Sequence, residues 1–481
     1  MKKHSLFYIL LIVVFFVACN KEPIDVTPPD DNPNPPPTTQ VQFPKKEMRG
    51  VWMVTAWDLD WPMGKYGVQA QKDHYTTYLD LFKSMNINAV FVQIRGMGDA
   101  FYNSPYEPWS KSITGVRGQD PGYDVLKFMI DEAHARDIEF HAWMNLYRIS
   151  TAQPYPKLHS SIDPSWVSNY PTIQIYNPAL PEVHKRLADI VKDVITKYDV
   201  DGIHFDDYFY PPKVTISDDA EFAKYGSGYN NKADFRRGNV DKAIKGVHDI
   251  IVATKPEVVF SVSPASDPDY NLNKIYANVP YWCEQGWVDV IIPQLYHKIG
   301  DPTADFQSRL NWWAQYSYKA TLMVGHALYK FGATNLEEVE FAAFQTSAEL
   351  QRQIEMTRKN KKSFGNIMYS AKYILFNKVG VTDKLRSLYT HPGVIPFLGR
   401  SVAGDPVEPS NVRLEGNTLK WDTSNNVKSV VYYFNDLAKE GIVLAVTKAK
   451  TLDISQAGNY CVTTLNADNK ESKPSKFVVK K

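Results

Sequence analysis

Asp201-Gly202-Ile203-His204-Phe205-Asp206-Asp207-Tyr208 alternates apolar and polar side chains with a period of two, the pattern of an extended strand with two unlike faces. Ile203 and Phe205 fall on one face, His204, Asp206 and Tyr208 on the other. An amphipathic helical pattern over Pro181–Tyr198 precedes this run, and another over Val240–Thr254 follows it. Helix, strand and helix in succession form the kernel of a βαβ unit, whose neighbouring strands are parallel.

The same texture extends in both directions. Short apolar, β-branched or aromatic runs fall at Arg49–Thr55, Ala89–Arg95, Ile138–Asn145, Val200–Tyr208, Val258–Ala265, Val288–His297, Ala320–Leu328 and Asn366–Tyr373. Helical patterns lie between them at Tyr75–Met85, Val125–Ala135, Pro181–Tyr198, Val240–Thr254, Thr303–Tyr318 and Phe344–Lys359. Eight strands alternating with helices across residues 45–398 predict a closed (β/α)8 barrel of the TIM type, an α/β fold. No glycine-rich dinucleotide fingerprint follows the first run, which argues against an open, doubly wound sheet.

The two ends of the chain have other textures. Lys2 and Lys3 precede an apolar run, Leu6–Val17, that is too short for a membrane span and ends at Ala18-Cys19. This reads as a lipoprotein signal over residues 1–19, with Cys19 as the lipidated first residue of the mature protein. Residues 20–44 carry eight prolines among Asp, Asn and Thr, a composition that buries too little apolar surface to fold and reads as a tether. Residues 405–481 show short alternating segments split by Asn, Asp, Gly and Pro, which predicts a small all-β sandwich. With Pro409, Trp421 and Tyr460 as landmarks, it resembles a fibronectin type III module.

Composition narrows the function. The 481 residues carry 54 Lys and Arg against 53 Asp and Glu, a formal charge of +1, which offers no field for a polyanion, so no nucleic-acid partner is expected. Cys19, Cys283 and Cys461 are too few for a disulfide framework and match no zinc spacing. No metal or cofactor is expected, and the chain is expected to act as a monomer.

In a parallel barrel the reacting groups sit at the C-terminal ends of the strands. An inward carboxylate at such an end is expensive to bury without a partner, so Asp206 is the leading catalytic candidate, with Asp207 beside it. Arg95, Asn145, Arg148, His204, Tyr208, Gln294, Tyr296 and His326 are the polar residues expected around the same rim. The loop after the second run adds Asp99, the second-carboxylate candidate Glu107, and Trp109 as a face on which a sugar ring could stack. Such a rim suits a polyhydroxylated ligand.

Several segments carry a resemblance to one family. Met48-Arg49-Gly50-Val51-Trp52, Tyr106-Glu107-Pro108-Trp109-Ser110, Pro121-Gly122-Tyr123-Asp124, Ala142-Trp143-Met144-Asn145, the run Asp201–Pro211 and Pro293-Gln294-Leu295-Tyr296 resemble the glycosyl hydrolase-like 10 family of bacterial envelope lipoproteins. The resemblance implies an envelope glycan hydrolase, lipid-anchored through Cys19, acting on the glycan strands of peptidoglycan. The fourth run is more distantly similar to the strand-four acidic motif of family 18 chitinases, with His204 in place of an inner acid and Tyr208 where those enzymes carry the proton-donating Glu. On this reading Asp206 or Asp207 is the general acid, while Tyr296, Gln294 and Asn145 hold an acetamido group or the attacking water. Three rivals stand beside it: hydrolysis of dietary or host polysaccharide, a glycan-binding barrel without catalysis, and a metal-dependent hydrolase using Asp206, Asp207 and His204.

Overall fold

The computed structural model describes residues 41–425 and 427–481. The expected signal, Cys19 and all but the last four residues of the tether lie outside the described residues. Among the described residues no helix is long and apolar enough to cross a membrane.

Eight parallel strands close into a barrel: β1 (Met48–Met53), β2 (Ala89–Arg95), β3 (Glu139–Met144), β4 (Gly202–Phe205), β5 (Val259–Val262), β6 (Val290–Ile291), β7 (Thr321–Ala327) and β8 (Ser363–Tyr369). Each pairs with its neighbours in sequence, and β8 returns to β1, with Trp52 opposite Tyr369. The (β/α)8 barrel expected from the alternating runs is therefore the observed fold. The helices between the strands obey local chemistry. Asp124, Asn231 and Asp305 each accept a backbone N–H of the first turn that follows them, satisfying donors that a helix start leaves open. The helix Pro181–Lys197 begins with proline, carries Glu182 in its first turn and buries Val183, Leu187, Ile190, Val191 and Val194 on one stripe.

The eighth run differs from its expected bounds. The strand begins at Ser363 and ends at Tyr369, and Ala371–Phe376 is a helix. Beyond Tyr369 the chain loses its partner in β1, and the buried Asp60 carboxylate turns it by accepting Ser370 Oγ at 2.9 Å and Lys372 N at 3.0 Å. Strand β6 is brief for a related reason: Pro293 lacks an N–H, so pairing is reduced to isolated bridges of Gln294 with Ala265 and Gly325.

Period-two alternation separates two cores. Ile203, Phe205, Val90 and Val92 face the helices in an outer cluster, while Trp52, Phe91, Trp143, Met323 and Ile367 fill the barrel interior. His204 points inward, level with Trp143 on one side and Ser261 on the other. Gly202 lies where a Cβ would collide with the His141 ring, so the glycine of the fourth run lets the interior imidazole pack.

Residues 410–480 form two antiparallel sheets. One orders Ser410–Glu415, Thr418–Asp422 and Thr451–Asp453; the other orders Ile442–Thr447, Lys428–Phe434, Gly458–Leu465 and Val478–Lys480. Trp421 and Tyr460 are buried in a cluster of this module. It meets the barrel beside the N-terminal ends of the strands, through Asn469 Nδ2 donating to Glu139 Oε1 at 2.8 Å and through the linker's Arg400 pairing with Asp289 at 2.9 Å.

Candidate active site

The mouth of β4 holds the carboxylates. Asp206 follows the last residue of the strand and is 4% exposed. Its Oδ2 accepts the indole N–H of Trp143 at 3.1 Å and the amide of Asn145, and its Oδ1 faces only the Tyr208 backbone N–H at 3.2 Å. Burial, and then the like charge of Asp207, push the Asp206 pKa up to about 7, against a smaller opposing pull from Arg148. Asp207 is partly accessible. Its pKa is also raised, by the surrounding protein, with the Gln294 amide and the Arg148 guanidinium pulling it back.

The polarity of this network is set by groups with no choice of role. Thr55 N and Ala56 N donate to Gln93 Oε1 at 3.1 and 2.9 Å, so Gln93 presents its NH2, at 2.6 Å, to Asn145 Oδ1. Asn145 must then offer its own NH2 to Asp206 Oδ2. An indole is a donor only, so Oδ2 is held as an acceptor twice over. A proton on Asp206 therefore resides on Oδ1.

Around these carboxylates the rim assembles several of the expected residues. Arg148 is buried, donates Nε to Gly96 O at 2.9 Å, and lies 4.4 Å from the centre of the Tyr208 ring. Gln294 donates to Ser263 O at 3.1 Å. Tyr296 is ringed by Tyr329 and Tyr369, at 5.9 and 5.8 Å between centroids. Its phenol is driven well above its ordinary pKa by burial and then by charges that include Asp207 and Asp206.

Six expected residues serve elsewhere. Glu107 is not free as a second carboxylate: it is 2% exposed and grips Arg95 at both oxygens, Nε to Oε2 at 2.7 Å and Nη2 to Oε1 at 2.6 Å. Arg95 is consumed by this pair and by the carbonyls of Asn145 and Leu146, so it fixes the backbone that carries Asn145 and does not face a ligand. His204 lies within the barrel below Asp206. Its Nε2 accepts from Trp52 at 3.0 Å and its Nδ1 meets Ser261 Oγ at 2.8 Å, which leaves it neutral and closes it to substrate and metal. His326 faces the helices, because Met323 and Gly325 occupy the inward positions of β7; its nitrogens meet Gln353 at 3.0 Å and Asn366 at 2.8 Å. Asp99 Oδ1 accepts Met97 N at 2.9 Å and organises its own loop. Trp109 is half-buried against the outer cluster.

Sequence reasoning passed over Asp60 and Trp57. Asp60 is fully buried and, with its bonds to Val54 N at 2.7 Å, Ser370 and Lys372, ties the loop after β1 to the end of β8. Trp57, on that loop, is 58% exposed. Its position just past the end of β1 was the available signal. Among the described residues, His297, Asp301 and Glu340 bring ligand-type atoms within 4.8 Å of one another. The Lys330 ammonium already sits on both Glu340 oxygens, at 2.8 and 2.6 Å, so this group is a buried ion pair in place of a cation site.

Two adjacent carboxylates at the mouth of β4, one with its pKa raised to about 7, stand where parallel barrels of this kind carry their reacting groups. The chain belongs to the glycosyl hydrolase-like 10 family, whose model matches residues 47–343. It is 33% identical to glycosyl hydrolase YngK of Bacillus subtilis, over 90% of this chain and 94% of that one. It is 32% identical to glycosyl hydrolase DigH of Escherichia coli K12, over 76% of this chain and 92% of that one. Among solved structures, the glycoside hydrolase domain of PgaB from Bordetella bronchiseptica overlaps 71% of this chain and 99% of its own, at a TM-score of 0.49 and 13% identity.

Proposed function

We propose that this protein hydrolyses a β-linked N-acetylated glycan, the glycan strands of peptidoglycan, with Asp206 as general acid. The observation that carries the reading is the asymmetric treatment of Asp206: two donors on Oδ2, a single long contact on Oδ1, and a pKa raised to about 7. Such a group holds a proton at neutral pH and directs it from one known atom, as protonation of a glycosidic oxygen requires.

Asp207, at the mouth, stabilises the oxocarbenium-like centre or orients the group that attacks it. Its charge also contributes to keeping Asp206 protonated. Tyr296 and Gln294, just past the end of β6 and with the Gln294 amide on Asp207, are suited to an acetamido group on the sugar. Asn145, already committed to Gln93 and Asp206, orients the acid and leaves the acetamide to those two. The signal-like segment ending at Cys19 supports a lipid anchor on the cell envelope, where a polymeric substrate cannot diffuse to its enzyme.

The test is reducing-end release from purified, peptide-free glycan strands by wild type, Asp206→Asn and Asp207→Asn. General acid catalysis contributes about 10²–10⁴-fold, so Asp206→Asn is expected to lose at least about a hundredfold. Wild type that binds strands without releasing ends over a day would make the barrel a glycan-binding protein.

A further inference from the structure

We propose that Trp57 is the stacking platform of the sugar subsite beside Asp206 and Asp207, holding the apolar face of a pyranose ring. The proposal rests on the glycan reading above and names a residue through which the site would hold its substrate.

The loop from Val54 to Trp61 is anchored throughout. Val54 N donates to Asp60, Thr55 Oγ1 to Gln93 O at 2.6 Å, Ser112 Oγ to Thr55 O at 2.9 Å, and Trp61 Nε1 to Gln71 O at 3.1 Å. Thr55, Ala56, Asp60 and Trp61 are buried, yet Trp57 is held open at 58% exposure. Its backbone is left-handed, φ 56° and ψ 23°, and Asp58 follows at φ 54°. A bulky side chain in that region is strained, and such strain persists where the surrounding structure enforces it.

The indole is not placed there for the core, since Trp61 on the same loop fills the core and is fully buried. What Trp57 touches is the site. Arg148 lies 5.0 Å from the Trp57 ring and 4.4 Å from the Tyr208 ring, and Tyr208 is itself 48% exposed with its N–H on Asp206. Two open aromatic rings joined by one buried guanidinium therefore continue outward from the acid. An aromatic face carries partial negative charge, which suits the C–H-rich face of a sugar as it suits Arg148. A rigid loop presents that face at no further ordering cost on binding.

The experiment compares wild type, Trp57→Ala and Trp57→Phe on peptide-free glycan strands, and titrates an N-acetylglucosamine hexasaccharide into Asp206→Asn while reading tryptophan emission. A platform that binds ground state and transition state alike moves KM more than kcat. Trp57→Ala is expected to raise KM about tenfold with kcat within about threefold, and Trp57→Phe to restore most of the loss. The emission change on titration should shrink by more than half in Asp206→Asn/Trp57→Phe, with Trp143 beside residue 206 left as the other indole at the site. KM within twofold of wild type in Trp57→Ala, or an emission change undiminished by loss of the Trp57 indole, overturns the platform. If Trp57→Ala does not fold, the emission readout in the phenylalanine variant decides alone. Wild type that neither binds nor cleaves either glycan defeats the glycan reading and the platform with it, an outcome read without any Trp57 variant.

Discussion

Trp143 donates its indole N–H to Oδ2 of Asp206 across 3.1 Å, from the strand that pairs with β4. This bond favours the ionised carboxylate, so it works against the burial that raises the pKa. Replacing Trp143 by Phe removes the donor and leaves burial less opposed. The basic limb of the kcat/KM profile, expected near pH 7 in wild type, should move to higher pH in Trp143→Phe. A profile that stays in place would separate the limb from Asp206.

Glu107 gives a prediction of stability. The Arg95–Glu107 pair is almost wholly buried, at 4% and 1% side-chain exposure, and removing one partner of such a pair strands the other charge at a cost of about 3–5 kcal/mol. Glu107→Ala should unfold at clearly lower denaturant. Its activity should fall because Arg95 no longer fixes the backbone at Asn145. An inactive Glu107→Ala with wild-type stability would return Glu107 to the chemistry.

Asp206 links stability to pH. Its folded pKa of about 7 stands above the ordinary 3.8, so the fold binds this proton more tightly than the unfolded chain does. The contribution is complete below about pH 3.8 and is lost as pH rises through about 7. Asparagine cannot ionise, and it also relieves Asp207 of a like charge. Asp206→Asn should therefore melt a few degrees above wild type at pH 8, with the gap closing toward pH 4. A variant that melts lower at pH 8 would mean the ionised carboxylate holds the structure together.

The barrel was legible because its evidence is periodic. Eight apolar runs and the helices between them follow from how strands and helices bury one face. The inward carboxylate was legible for the same reason, since alternation along Ile203, His204, Phe205 and Asp206 admits one phase. The outward face of His326 is not legible because the run Ala320–Leu328 is apolar at both parities, and only Met323 and Gly325 in the interior reveal its phase. Glu107 is spent on Arg95, which sits on another element and leaves no mark in the segment around Glu107. Trp57 and Trp61 both follow the first strand, so position past its end singles out the pair and not the member that is open, Trp61 being buried at 0% exposure and Trp57 exposed.

The central claim, that Asp206 delivers the proton to the departing oxygen, is tested most directly by varying how much help that oxygen needs. Asp206→Asn is compared with wild type on an aryl β-N-acetylglucosaminide whose phenol leaves unaided and on an alkyl counterpart whose alcohol does not. If Asp206 is the acid, the variant loses about 10²-fold or more on the alkyl glycoside and keeps most of its rate of bond cleavage on the activated aryl one. Equal losses on both would contradict the assignment and place the acid on another residue.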